Sequence, residues 1–182
     1  SQFVSYTEQM PTMKVWRKLH EAGIDRPVVV LGHQRTEVEA QIDLSGCRVI
    51  VNPDPSRGLS SSVRLALTAT AEDAHGALLL PVDMPKVSVD TIRAVLAAAR
   101  RGARIAAPFH RGRRGFPVYF DRGCFPEIIA TVAGDRGARD YIEAHREDVV
   151  PIPVGDPGCV LDIDTPEDLA ALRRSRPCDT CA

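Results

Sequence analysis

The sequence predicts an α/β protein whose parallel sheet carries helices on both faces. Short apolar runs alternate with amphipathic helical segments through the first hundred residues, a rhythm typical of βαβ units. The runs PVVVLG and GALLLPV are apolar throughout rather than alternating, as in strands that are buried on both faces. The length of 182 residues favours one domain with a sizeable core.

The first half of the chain supplies the repeating units. A helix is predicted at 11–22, where apolar residues recur at helical spacing before Gly23. The elements that follow are a strand at 27–32, a helix at 36–42, a strand at 47–52, a helix at 60–73, a strand at 77–82 and a helix at 89–101. Ser88 directly precedes the last of these helices, so it is the predicted N-cap.

The second half is less regular. Strands are predicted at 103–110 and 116–121, and because the basic turn RGRRG joins them, they can form an antiparallel hairpin at the sheet edge. Helices are expected at 124–132, 138–148 and 165–174. Prolines interrupt the strand predicted at 148–154, which indicates an edge strand. The last strand is predicted at 158–164.

Composition excludes several classes of protein. The net charge is −1, so no general attraction to nucleic acid or to an anionic membrane is expected, and no apolar run reaches the roughly 18 residues of a membrane span. The odd count of five cysteines argues against a disulfide framework and fits a reducing cytoplasm. Cys47, Cys124 and Cys159 are expected to fill gaps in the core, and Cys178 and Cys181 form a CxxC without the second pair that a zinc ribbon needs.

An isolated acid, Asp83, follows the apolar run GALLLPV. It is predicted to lie at the carboxyl end of a buried strand, where ligands bind in open α/β sheets. The alternative role is an N-cap of the next helix, which Ser88 fills better. Asp162 and Asp164 in LDIDTPEDL alternate on a predicted strand and therefore share one face. Asp83 and Asp164 together can hold one Mg²⁺; alternatively, Asp164 only supports the helix cap at Thr165.

Three other segments carry candidate binding residues. The segment NPDPSRGLSSSVRLAL (52–67) offers a flexible Gly58, serine hydroxyls and a helix start, which suit a nucleotide; the alternative is a plain N-cap at Ser60. Arg113 and Arg114 in the basic turn can bind phosphate or simply form a solvated hairpin tip. The segment GDRGAR (134–139) is either an anion-binding corner or an interhelix turn. Among the histidines, His33 alone follows directly on a predicted strand.

Taken together, these segments resemble one family. VVVLGH, NPDPSRGLSSSVRLAL, LLLPVDMP, RGRRGFPV, GDRGAR and LDIDTPEDL occur in the order and spacing of the molybdenum cofactor cytidylyltransferases and their MobA-like guanylyltransferase relatives. The resemblance, closer to the cytidylyl branch, implies a three-layer α/β/α fold with a mostly parallel Rossmann-like sheet and an antiparallel edge, as in nucleotide-diphospho-sugar transferases. It also implies transfer of a nucleotide from CTP or GTP to the phosphate of a molybdopterin-type acceptor, with Mg²⁺ and release of pyrophosphate.

The resemblance further implies roles for individual residues. Asp83 and Asp164 match the family's catalytic, metal-binding acids. The positions that match the nucleotide pocket are Gly32, Gly58, Ser60 and Ser61. The positions that match the turn facing the acceptor are Arg113, Gly115 and Pro117. The resemblance places the transferase domain at 1–174, without the family's first strand and glycine-rich loop, and leaves 175–182 as a tail or the start of a linker to a further domain.

Two other hypotheses remain from the sequence. Without the glycine-rich loop, the chain can be a catalytically impaired nucleotide- or cofactor-binding module of a larger protein. A sugar transferase shares the expected fold, and DID is nominally a DxD motif, but those enzymes carry the motif at the central strand, where this chain has only Asp83.

Overall fold

The computed structural model describes residues 11–25, 27–32, 35–40, 43–70, 72–81 and 84–161. The helices within these ranges are α1 (Pro11–Glu21), α2 (Arg35–Glu39), α3 (Leu59–Ala69), α4 (Val89–Arg100), α5 (Phe125–Thr131) and α6 (Arg139–Ala144). The strands are β1 (Val28–Leu31), β2 (Arg48–Val51), β3 (Gly76–Leu79), β4 (Ile105–His110), β5 (Arg113–Arg114), β6 (Val118–Asp121) and β7 (Val149–Pro153). In this part of the chain, no helix is long and apolar enough to cross a membrane.

The described strands form two sheets. β1 and β2 pair in parallel, with Val28 opposite Arg48. The larger sheet has the order β3-β6-β4-β5, and β7 pairs with the other side of β4. β6 runs antiparallel to both β3 and β4, whereas β7 runs parallel to β4. β3, β4 and β7 therefore point in one direction, and β6 is the reversed strand between them.

Two features of the predicted sheet are wrong. Of the strand pairings within the described residues, three are antiparallel and two are parallel, so the sheet is mixed rather than mostly parallel. The antiparallel strand is central rather than at an edge, because β6 is inserted between β3 and β4. Gly76 permits this close pairing, since a Cβ there would lie 2.4 Å from the Phe120 carbonyl oxygen.

The helices cover both faces of β4, which explains its apolar sequence. Ile105 and Ala107 pack in a core cluster with residues of α3, α5 and α6, which include Leu67, Ile128 and Ile142. The intervening Ala106 packs on the opposite face with residues of α4. β4 is thus buried between two helical layers, and an α/β/α layering is present around it.

Capping and cysteine burial largely follow the predictions. Ser88 is the N-cap of α4, and its hydroxyl accepts a hydrogen bond from the Thr91 N–H at 3.1 Å. Cys124 and Cys159 are fully buried, and Cys47 packs beside a small cluster around Leu31. The predicted final strand differs: Pro157–Val160 form a 3-10 helix, because the Asp156 carboxylate accepts from the Gly158 N–H and favours a tight turn there. The helix predicted at 165–174 and the CxxC pair lie outside the described residues.

Candidate functional site

The serine loop, residues 52–62, lies where β2 ends and is organised by a buried asparagine. The Asn52 amide nitrogen donates to the Ser61 hydroxyl at 2.7 Å and to the Ser62 hydroxyl at 3.1 Å. The Asn52 side-chain oxygen accepts from the Asp54 N–H at 3.0 Å. Asn52 is only 4% exposed, so these bonds fix the loop and the first turn of α3 from the inside.

Gly58 begins α3 in a conformation that favours glycine. It is the N-cap residue, with φ of 84° and ψ of −178°, and no side chain caps the helix. The Ser61 hydroxyl donates to the Gly58 carbonyl at 2.8 Å, whereas Ser60 is buried in the first helical turn. The alternative that Ser60 is a plain N-cap is therefore wrong, because the cap position falls two residues earlier. Gly32 lies beside the same loop, since a Cβ there would contact the Pro55 ring at 3.3 Å.

The GDRGAR corner, residues 134–139, packs directly on the serine loop. A Cβ at Gly58 would lie 2.4 Å from Asp135 Oδ1 and 2.6 Å from the Gly134 carbonyl oxygen. A Cβ at Gly137 would lie 3.0 Å from the Leu59 side chain, and Gly137 has a φ of 55°. Two segments that are more than seventy residues apart in sequence thus meet through glycines that leave no room for side chains.

The basic turn, residues 110–117, lies at the carboxyl end of β4. Arg113 and Arg114 form β5 and pair with His110 and Phe109 of β4. Arg113 is exposed, whereas Arg114 is half-buried. Burial lowers the pKa of the Arg114 guanidinium, and the positive charge of Arg139 lowers it further, while Glu143 acts in the opposite direction. Arg114 nevertheless keeps its charge, since arginine is not deprotonated in proteins.

The end of the basic turn contacts the segment 157–160. The Phe116 N–H donates to the Cys159 carbonyl at 2.8 Å, and a Cβ at Gly115 would lie 2.3 Å from that oxygen. Pro117 is fully buried and follows a cis peptide bond. Gly115 and the Phe116 N–H therefore hold the turn against residues 157–160.

Asp156 ties the segment after Asp83 to the segment before Asp162. Its carboxylate accepts from the Ser88 N–H at 2.8 Å, from the Thr91 hydroxyl at 2.7 Å and from the Gly158 N–H at 2.8 Å. Burial raises the pKa of this carboxyl, but the hydrogen bonds outweigh burial and hold the pKa below its usual range. The Asp156 side chain is thus an ionised clamp between the two segments.

Two further contacts hold the same segments together. The Lys18 ammonium of α1 donates to the carbonyl oxygens of Pro85 and Val87, at 2.5 and 2.7 Å. Met84 and Cys159 are both buried in one apolar cluster. Residues 84–88, which follow Asp83, are therefore packed together with residues 156–159.

The acids themselves, Asp83 and Asp164, lie outside the described residues, as does His33. Within the described ranges, no group of three or more His, Cys, Asp or Glu residues can hold a metal ion. The structure brings Gly58 together with the GDRGAR corner, and it brings Gly115 beside residues 157–160.

Three residues that organise the site do not stand out as functional in the sequence: Asn52, Lys18 and Asp156. A usable signal existed for Asn52, because it ends the apolar run CRVIV in the same way that Asp83 ends its own run. No local pattern marks the long-range roles of Lys18 and Asp156, since Pro85, Val87, Ser88 and Thr91, which they bond, are more than sixty residues away.

Comparison with known proteins agrees with this geometry. The family model of the MobA-like NTP transferase domain matches residues 2–149, which is most of the chain. The chain belongs to the MobA-like NTP transferase family. It is therefore an enzyme of the nucleotidyltransferase class, and the family implies a nucleoside triphosphate as one substrate.

The chain is similar to proteins that carry different names. The nicotine blue oxidoreductase of Paenarthrobacter nicotinovorans is 34% identical over 157 residues, covering 82% of this chain and 76% of the relative. The molybdenum cofactor cytidylyltransferase of Escherichia coli K12 is 28% identical over 158 residues, covering 81% and 74%. A Mycobacterium tuberculosis H37Rv protein solved in complex with manganese superposes with a TM-score of 0.82 at 28% identity, covering 94% of this chain and 90% of that one.

Proposed function

We propose that this protein transfers a nucleotide, CMP in preference to GMP, from a nucleoside triphosphate to the phosphate of a molybdopterin-type cofactor. The family supplies the reaction class, and the base and the acceptor are our proposal. The observation that carries it is the contact between the serine loop and the GDRGAR corner at Gly58. These two segments, with the RGRRGFP turn, are the ones whose sequence most closely resembles the cytidylyl branch.

The serine loop is the proposed nucleotide pocket. Gly32 and Gly58 let neighbouring segments pack closely on the loop, and the start of α3 offers N–H groups without partners inside the helix. Ser60 and Ser61 supply the hydroxyls of the first turn, and Asn52 holds Ser61 in place at 2.7 Å. Because Asn52 is buried and its amide bonds two serines, the loop keeps its shape before ligand arrives.

The proposed metal ligands are Asp83 and Asp164. Two carboxylates joined by substrate phosphates and water are a typical donor set for Mg²⁺. Contacts among their sequence neighbours support the pairing: the Asp156 clamp and the Met84–Cys159 cluster join the segment after Asp83 to the segment before Asp162. When bound, the divalent ion would neutralise the charge of the phosphate oxygens.

The acceptor is proposed to approach over the basic turn, where Arg113, Gly115 and Pro117 lie. In the reaction, an oxygen of the acceptor's phosphate forms a bond to the α-phosphorus of the triphosphate. The bond from the α-phosphorus to the bridging oxygen breaks, and pyrophosphate leaves with that electron pair. The role of the protein's own residues is to hold the two substrates in line and to offset their charge.

Thermal unfolding with CTP, GTP and ATP, each with and without Mg²⁺, tests the nucleotide half of the proposal. A ligand at a hundred times its dissociation constant adds about 2.7 kcal/mol to the free energy of unfolding. We expect a Mg²⁺-dependent rise in Tm that is largest with CTP, followed by pyrophosphate release once molybdopterin is added.

The variant Asp83→Asn is expected to remove the Mg²⁺-dependent rise while leaving the Tm without ligand unchanged. The exposed Asp73→Asn is the matched control and should respond to CTP as the wild type does. CTP binding without turnover would favour a binding module, and an equal response to all three nucleotides would overturn the assignment to the cytidylyl branch.

A further inference from the structure

Two arginines from distant segments lie on the same face of the larger sheet. Arg114 is directly opposite Phe109 in the β4–β5 pairing, and cross-strand partners share a face. Phe109 packs against the core cluster that contains Tyr141 and Ile142 of α6. Arg114 is therefore on the face that α6 covers, and α6 begins with Arg139.

The Arg114 guanidinium lacks a partner for one of its buried nitrogens. Its Nη1 atom is buried and makes no hydrogen bond within the described part of the chain. Buried polar groups are usually bonded, and a charged donor left unbonded is more costly than a neutral one. The position therefore calls for an acceptor, and an anionic one would compensate the charge as well.

The charges around Arg114 do not supply the anionic acceptor that its guanidinium needs. Arg139 is exposed, and its positive charge is close enough to lower the pKa of Arg114. The opposing charge that acts on Arg114 is Glu143, whose Oε2 already accepts from Arg136 Nη2 at 3.0 Å. Neither Arg114 nor Arg139 forms an ion pair with a carboxylate among residues 84–161.

We propose that Arg114 and Arg139 together bind a phosphate monoester, the anionic group of the second substrate. Two guanidinium groups that repel each other are typical of a site whose anion is supplied by a ligand, since arginine binds phosphate through paired N–H donors. The site joins the basic turn to the GDRGAR corner. Naming the ligand as the acceptor's phosphate rests on the proposed function, whereas anion binding itself does not.

Calorimetric titration with inorganic phosphate tests the site without any nucleotide. We expect the wild type to bind phosphate and Arg139→Gln and Arg114→Gln each to raise the dissociation constant about tenfold or more, as loss of a charge-assisted hydrogen bond would. Arg101→Gln is the control, because Arg101 is equally exposed but lies after the far end of α4. Arg139 is an exposed residue, so its variant also covers the case in which Arg114→Gln does not fold.

A second titration, with CTP and Mg²⁺ at saturation, distinguishes the source of the phosphate. If the protein still binds phosphate with CTP and Mg²⁺ bound, the result supports a site for the second substrate. If CTP abolishes phosphate binding, the arginines bind the triphosphate, and the assignment to the second substrate is overturned. Equal phosphate affinity in the wild type and Arg139→Gln would overturn the site altogether. If the wild type fails to respond to CTP, the proposed nucleotide transfer fails while the phosphate titration still decides the anion site.

Discussion

Replacing Asp156 with alanine should separate the two segments that its carboxylate clamps. The change removes the acceptor for three donors, the Ser88 N–H, the Thr91 hydroxyl and the Gly158 N–H, at 2.7–2.8 Å. Each donor left without its acceptor costs about 1 kcal/mol of stability. This is the lower end of the range for unsatisfied buried donors, and it applies because the site is only partly buried. The expected loss in the free energy of unfolding at pH 7 is therefore about 3 kcal/mol.

Urea denaturation of the wild type and Asp156→Ala measures this loss, with Asp90→Ala as the control. Asp90 lies in the first turn of α4, next to the Ser88 and Thr91 donors, but its side chain is 93% exposed. We therefore expect Asp90→Ala to change the free energy of unfolding by about 0.5 kcal/mol. The Asp156 pKa is lowered in the folded state, so its contribution is complete above the unfolded pKa of about 3.9 and disappears as the pH falls through the lower folded value. The difference between the two proteins should shrink below about pH 4. A loss under 1 kcal/mol at pH 7, or one that is independent of pH, would refute the clamp.

Two further substitutions test the serine loop. Gly58→Ala should destabilise the protein by about 3 kcal/mol or more in chemical denaturation, because a Cβ would meet the Asp135 carboxylate in a backbone region that only glycine adopts readily. Gly102→Ala has a similar φ of 89° but open space around it, so about 1 kcal/mol is expected, and equal losses would contradict the close contact. Asn52→Ala should lower the free energy of unfolding by about 2 kcal/mol, since Ser61 loses its buried donor. The variant should also show a smaller rise in Tm with CTP. An unchanged rise in Tm with CTP would show that Asn52 does not support the nucleotide pocket.

Local patterns predicted the elements better than their pairing. The helix at 11–22 and the Ser88 cap depend on spacing and on one side chain next to its own helix, and both are present. The position of β6 between β3 and β4 depends on contacts such as that of Gly76 with Phe120, which no local pattern specifies. The beginning of the strand predicted at 158–164 is a 3-10 helix for a local reason, because Asp156 accepts from the Gly158 N–H and favours a turn there.

The candidate site divides in the same way. The sequence identified the serine loop, the basic turn and the GDRGAR corner as separate segments with several possible roles each. The contact of the serine loop with the GDRGAR corner at Gly58, and the shared face of Arg114 and Arg139, follow from the fold alone. A glycine in a loop indicates a turn, but the sequence does not say which neighbour requires the missing side chain.

Among the described strands, β7 is the outer one beside β4, and its two prolines limit how a further strand can pair with it. The Val154 N–H donates to the Phe109 carbonyl of β4 at 2.9 Å, so by alternation the nitrogens of Pro151 and Pro153 face away from β4. Those are the positions where a free strand would offer its donors to an incoming strand, and proline has none. Concentrated solutions of this protein should therefore resist edge-to-edge polymerisation through β7, because the proline nitrogens carry no hydrogen to donate to a further strand.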